Sequence, residues 1–495
     1  MNPIRKLAQQ TVIYGLSSVV SRFLNYLLVF IYTRVYKPEV YGIVTELYAY
    51  LTFLIIILTY GMETGFFKFT QSEKDKESVY STSLITLFTS STFFIFLVLL
   101  FSRNIASYMG YANNPEYIIW FGWILGLDAI MAIPFARLRS DNRPIKFAFY
   151  KLLNVIVNIA SNVFFIIICP ILKSRYNPEF LKYLYDPSIG VGYVFISNLI
   201  ASIFTLSLFI PEFFKVQFNF NFKLLKNLLF YSFPLLIAGL AGSINETLDR
   251  VLLKHLLPSH VNAMQELGIY GANIKLAVVM ILFIQMYRFA AEPFFFNYDK
   301  EKDSKKVFAD VTKYFIIFVL FIFLLIMAYI DIFKYFIGSE YHIGLKIVPI
   351  QLFASLLLGI YFNVSMWYKL TNKTMFGIYI TALGALITIL INFLFIPEFS
   401  YLASSWARLI CYLIMVIITY FIGQKYYPVH YDLKKIANYF LITLIIFSLF
   451  ILTSKFHLIL KLLTNTILLL IFLFFVLKLE NRIKYFKKYV PSIEK

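Results

Sequence analysis

Apolar runs about 20 residues long, the length that carries an α-helix across a hydrocarbon core, recur from one end of this sequence to the other. Fourteen can be placed, near 11–33, 40–63, 80–101, 117–137, 147–170, 190–211, 227–248, 267–292, 311–330, 345–367, 374–397, 400–422, 436–453 and 457–478. Each also carries Gly, Ser, Thr or Asn, which suits helices that pack on one another rather than stand alone in lipid. A β-barrel would need ~10-residue segments of alternating polarity. Continuous runs such as Leu51–Leu58 and Phe315–Ile326 exclude that pattern. Composition agrees: 60% of residues are hydrophobic and only 14% charged, where a soluble domain carries about 25% charged residues. The expected fold class is all-α, a polytopic membrane protein with about 14 transmembrane helices.

A net charge of +19 would suggest nucleic acid in a soluble chain. In a membrane chain it reads first as the positive-inside bias, and no nucleic-acid partner is expected. With both termini cytoplasmic, the cytoplasmic segments hold 28 Lys and Arg against 12 on the opposite side. Five more bases, Arg22, Lys151, Lys275, Arg288 and Arg408, fall inside spans. This split favours an N-in, C-in chain and an even number of helices. The first apolar stretch is interrupted by Arg22 and Asn25 and lacks an A-x-A site, so it reads as a spanning helix rather than a cleavable signal. Cys169 and Cys411 lie in predicted spans and read as packing residues. The longest non-cytoplasmic link, 171–189, has 19 residues and cannot hold a domain. H-E-x-x-H, Walker A and G-x-S-x-G motifs are absent, and the five His form no ligand cluster. The expectation is a non-enzyme without cofactor or metal, whose function sits among its helices.

The chain also contains a weak internal repeat. Tyr14-Gly-Leu-Ser-Ser leads to Arg34, one proline and Tyr41-Gly42-Ile43. Tyr231-Ser-Phe-Pro leads to Arg250, one proline and Leu267-Gly268-Ile269. The spacing suggests a six-helix lobe at 1–215, a second at 216–425, and two additional helices with a basic tail at 426–495. The stretch LNYLLVFIYTRVYKPEVYGIVTELYAY (24–50) and the pair INETLDRVLLKHLLP and ELGIYGANIKLAVV (244–258, 266–279) resemble the Wzx-type oligosaccharide-lipid flippases of the multidrug/oligosaccharidyl-lipid/polysaccharide exporter superfamily. The resemblance implies two lobes around a central cavity lined with bases and opening alternately to each side. It implies a polyprenyl-diphosphate-linked glycan as substrate, moved from the cytoplasmic to the outer leaflet of a bacterial inner membrane for surface polysaccharide. Partners implied are membrane lipids, and a polysaccharide polymerase and glycosyltransferases acting on the same glycan. Alternatives are a peptidoglycan-precursor lipid flippase, a drug/cation antiporter of the same superfamily, and a membrane glycosyltransferase or polymerase.

Ionisable residues inside spans are costly and therefore candidate sites. Arg22, with Asn25 on the same helical face, suits a diphosphate because a guanidinium fork matches phosphate oxygens. The alternative is a buried pair with Glu46 or Glu63. Lys151, Asn154, Asn158 and Asn162 form one stripe of the fifth helix. Such a stripe faces protein or water, either as inter-helix glue or as contacts to sugar hydroxyls, with Lys151 the better phosphate ligand. Lys275 has no acid at helical spacing along its own sequence and is expected to line the second lobe's half of the cavity. Arg288 and Glu292 are spaced as an ion pair or gate, with Pro293 expected to kink or end the helix. Glu63 is expected in a gate salt bridge. Asp128 is a candidate proton or cation site, or a hydrogen-bond partner for a neighbouring helix. Asp249 reads as a solvated helix end. Arg137, Arg139, Arg143 and Lys146 read as a basic loop facing anionic headgroups.

Overall fold

The computed structural model describes residues 3–73, 75–176, 178–214 and 219–480. The tail beyond Glu480, with most of the bases assigned to it, lies outside those residues, as do Lys74 and Lys215. Fourteen helices are long and apolar enough to span a membrane. They are α1 (Gly15–Val35), α2 (Pro38–Ser72), α3 (Lys76–Tyr108), α4 (Glu116–Ser140), α5 (Pro144–Arg175), α6 (Gly192–Phe213) and α7 (Phe222–Leu256). The others are α8 (Ala263–Phe296), α9 (Ser304–Ala328), α10 (Ser339–Leu370), α11 (Met375–Phe399), α12 (Tyr401–Tyr426), α13 (Leu433–Leu452) and α14 (Leu458–Leu479). Every predicted span has its helix, and the described residues contain no strand.

Local chemistry sets the helix ends. Pro38 and Pro144 stand in the first turns of α2 and α5, where a missing N–H costs nothing. Asp75, Asn221 and Asp432 cap α3, α7 and α13, accepting the backbone N–H of Ser78, Leu224 and Lys435 at 3.0–3.1 Å. Three spans are interrupted: α10 opens as a 3₁₀ helix over Ser339–Ile347 and turns at Ser365, and the other two are α2 and α5. Tyr60 and Gly61 take positive φ, 34° and 72°, and divide α2 into Pro38–Thr59 and Met62–Ser72. A wider π-type turn at Val163–Ile168 breaks the regular winding of α5 just after Asn162. Pro293 does not end its helix, which runs on to Tyr298; a lost N–H bond inside a membrane helix is tolerated where neighbours compensate.

Contacts group the residues into two compact units, Met1–Ala272 with Ala385–Ser404, and Asn273–Gly384 with Ser405–Lys495. In the first, α3 packs on α4, α4 on α6, α6 on α5, α5 on α1, and α2 on α7. Amides hold this unit together where apolar contacts alone give no advantage over lipid. Tyr32 O–H donates to Asn162 Oδ1 at 2.8 Å, Asn162 Nδ2 to Asn158 Oδ1 at 3.0 Å, and Asn158 Nδ2 to Asn25 Oδ1 at 3.1 Å. Asn154 Nδ2 donates to Thr205 Oγ1 at 2.8 Å and to the Ala201 carbonyl at 3.1 Å. The stripe thus ties α5 to α1 and α6.

The seam between α2 and the start of α8 is closed backbone to backbone. A Cβ on Gly42 would lie 2.2 Å from the Met264 carbonyl oxygen, and one on Gly268 would lie 1.9 Å from that of Pro38. These are the two glycines of the repeat, each packed on the other's helix. Beside them Glu46, fully buried, accepts from Lys254 Nζ at 2.8 and 2.9 Å and from Tyr111 O–H. Lys254 Nζ also donates to the Met109 carbonyl at 2.5 Å. Asp249 is buried rather than solvated, taking the Tyr270 hydroxyl at 2.5 Å and the Arg250 N–H at 2.8 Å. A carboxylate with two such donors does not need water, which the residue spacing alone could not show.

The second unit is built around α9, which packs on α10, α13 and α14. Glu480, just beyond α14, draws these helices together. Its Oε2 accepts from Lys313 Nζ at 3.0 Å and Tyr314 O–H at 3.2 Å, and its Oε1 from Tyr439 O–H at 2.7 Å. Lys435 Nζ adds a contact at 3.5 Å. Burial of the Glu480 carboxyl opposes ionisation, but the Tyr439 hydroxyl and the two lysines outweigh it and hold its pKa below the usual value.

Candidate functional site

Helical spacing builds the site. On α4, Asp128, Met131, Phe135 and Arg139 follow one another at three or four residues and share a face. On α5, Phe147, Lys151 and Asn154 do the same. With Thr59 and Glu63 of α2 and Thr205 of α6 they enclose a cavity of about 440 Å³ inside the first unit. Four expected site residues, Glu63, Asp128, Lys151 and Asn154, therefore meet in one space.

One pair of these charges is joined directly. Glu63 forms a salt bridge with Arg139, whose guanidinium also lies over the Phe67 ring at 4.9 Å. Asp128 Oδ1 accepts from Ser202 Oγ at 2.8 Å. Lys151 Nζ sits 4.2 Å from the Phe135 ring centroid, an arrangement that partly replaces lost water around an ammonium. Lys151 shares the cavity with Asp128 and Arg139, whereas Arg22 is not part of its lining. Arg22 is exposed on the protein surface and makes no ion pair among the described residues. The two acids named above as its alternative partners are engaged elsewhere, Glu46 with Lys254 and Glu63 with Arg139.

Asn25 and Asn158 are committed to each other, away from the cavity lining. Lys275 lies half-buried on α8 within the second unit. Arg288 and Glu292 form the expected pair there, Nε to Oε2 at 3.5 Å. Lys369 joins them, its Nζ 2.5 Å from Glu292 Oε1. Lys369 and Lys254 escape a sequence reading because both stand near helix ends, where a base looks like a topology signal. Their partners, acids inside spans, were the available clue. The basic loop is also less free than its composition suggests. Arg137 pairs with Glu77 at 2.5 Å, Arg139 with Glu63, and Lys146 with Glu212.

Residues 7–299, more than half of the chain, match the model of the family described as Polysaccharide biosynthesis protein. The chain belongs to that family. Among solved structures, this family member is similar to the lipid II flippase MurJ in an inward closed conformation, with 15% identity and a TM-score of 0.72, covering 94% of this chain and 99% of that one. It is also similar to a multidrug resistance MATE transporter of the MOP superfamily in inward-facing form (14% identity, TM-score 0.62, 84% and 97% covered). The outward-facing form gives 12% identity and a TM-score of 0.59, with 86% and 98% covered. At these identities the likeness is one of fold. No curated protein matches the sequence. The family member is a multi-pass membrane protein with a flippase and transporter fold rather than an enzyme fold.

Proposed function

We propose that the protein is a flippase that moves a polyprenyl-diphosphate-linked oligosaccharide from the cytoplasmic to the outer leaflet of a bacterial inner membrane by alternating access, for surface polysaccharide such as O-antigen. The observation that carries this reading is the cavity of the first unit, where Lys151 and Asn154 of a membrane helix face one space, with Arg22 on α1 in no ion pair among the described residues. A diphosphate needs cations to leave water. Arg22 supplies a planar fork for its oxygens and Lys151 a point charge. Asn154 lines the same space and serves sugar hydroxyls, while the prenyl tail stays in lipid. Asn25 and Asn158 position Arg22 through their mutual bond. Lys275 serves the second half of the path, Glu63 with Arg139 forms a gate, and Asp128 is the group for ion coupling. The chain runs N-in and C-in, as lobes 1–215 and 216–425 with helices from 426 added. The seam at Gly42, Gly268 and Glu46 is then on the outer side, and closed. A polymerase and glycosyltransferases use and supply the glycan.

The test uses purified protein in liposomes carrying a fluorescent polyprenyl-diphosphate-linked sugar. Leaflet exchange faster than in protein-free liposomes is expected, and equal rates overturn the reading. The likeness to the lipid II flippase favours a second reading, in which the glycan is a peptidoglycan precursor. Rescue of a strain depleted of its precursor flippase selects that reading over the first.

A further inference from the structure

The second unit holds a second concentration of positive charge. On α8, Arg288 and Glu292 stand one turn apart, and Lys369 at the end of α10 reaches the same carboxylate. Two cations thus share one anion, which leaves the cluster with an excess positive charge. Each carboxylate oxygen faces one base, as two phosphoryl oxygens would. Arg288 meets Glu292 through Nε, at the long distance of 3.5 Å. Its guanidinium carbon lies 4.4 Å from the Phe362 ring centroid. Behind it Tyr287 O–H donates to Asn363 Oδ1 at 2.5 Å.

Access and room point the same way. The Arg288, Glu292 and Lys369 side chains are 46%, 32% and 26% exposed, so the ion pairs are within reach of solvent and weakly held. The adjoining cavity measures only about 20 Å³, room for a water molecule. The Glu292 carboxylate fills the place between the bases, and a larger anion fits only when it leaves. A phosphate or diphosphate carries more charge than a carboxylate and accepts bidentate bonds from Arg288, so it competes well for both bases.

We propose that Arg288 and Lys369 form a binding site for a phosphate or diphosphate group, occupied at rest by the Glu292 carboxylate, which the ligand displaces. That the diphosphate belongs to a lipid-linked glycan rests on the function proposed above; the site itself does not.

Inorganic pyrophosphate is titrated by calorimetry into the purified full-length protein. Glu292→Gln is expected to bind roughly tenfold more tightly than the parent, because the competing anion is gone. Arg288→Gln or Lys369→Gln in that background is expected to abolish the gain. Glu292→Asp, whose shorter side chain loosens its hold on Lys369, gives a smaller gain and serves if Glu292→Gln misfolds. A parallel arm titrates undecaprenyl diphosphate in nanodiscs. The same order of variants there identifies a lipid diphosphate as the ligand, and the order in pyrophosphate alone identifies a soluble one. Unchanged pyrophosphate affinity in Glu292→Gln and Glu292→Asp overturns the site and leaves a clamp between α8 and α10. Binding in the expected order without leaflet exchange in liposomes would overturn the proposed function and leave the site standing. Exchange without that order would do the reverse.

Discussion

Arg22 is the residue on which the proposed chemistry depends most. A charge-assisted hydrogen bond contributes about 1.5–3 kcal/mol, so Arg22→Ala is expected to slow leaflet exchange roughly ten- to a hundredfold, at 1.4 kcal/mol per tenfold. Arg22→Lys keeps the charge and loses the fork, and is expected to recover only a small part of the rate. Exchange at the parent rate in Arg22→Ala, measured in the liposome assay, removes Arg22 from the site. At this scale the sequence was legible wherever spacing carried the message. Lys151 and Asn154 fall at helical intervals on α5, and they do share the cavity. Partners on other helices were not legible. Nothing in the spacing of Glu46 points to Lys254, which is 208 residues away. Asp249, next to Arg250 in the sequence, takes its hydrogen bond from Tyr270 instead.

Helices test a different property, the strength of their joints. The Glu46–Lys254 pair joins α2 to α7 in a buried setting. Breaking such a pair by removing one partner costs about 3–5 kcal/mol, because the other charge is left uncompensated. Glu46→Gln is therefore expected to lower the melting temperature more than the double change Glu46→Leu with Lys254→Met, and a thermal double-mutant cycle measures the coupling. If the effects of the two sites simply add, the pair is not a joint.

The Glu480 clamp gives a pH dependence. Its folded-state pKa is depressed, so its contribution is present above the unfolded value of about 4.3 and fades as pH falls through the lower folded value. The parent is expected to melt higher than Glu480→Gln at neutral pH, with the gap closing on acidification below that value. A gap that stays constant with pH refutes the ionic contribution. Element existence was readable because hydropathy fixes it. The break in α2 and the wide turn in α5 were not, since both depend on packing against neighbours rather than on apolar content.

For the whole molecule the decisive quantity is orientation. The proposed topology places the α3–α4 link outside and the α4–α5 link inside. Single cysteines at Asn113 and Asn142, in a background lacking Cys169 and Cys411, are expected to react with an impermeant maleimide from the outside and only after lysis, respectively. The opposite pattern inverts the direction of the proposed transport. The charge distribution favoured this orientation because bases are retained on the cytoplasmic side. It could not reveal that several of those bases are neutralised by neighbours, as Arg137 is by Glu77.

The interruption of α2 at Tyr60 and Gly61 has a mechanical consequence. Its 11-residue second part, Met62–Ser72, is roughly 16 Å long at 1.5 Å per residue. Two successive left-handed residues join that part to the first at a bend rather than as one rod. A tilt of about 10° at that bend would carry its tip about 3 Å on this geometry. Glu63 sits beside the bend, where the lever arm is shortest. A small displacement of its carboxylate, coupled to Arg139, would therefore be multiplied along the rest of the segment while the part that holds Glu46 stays still.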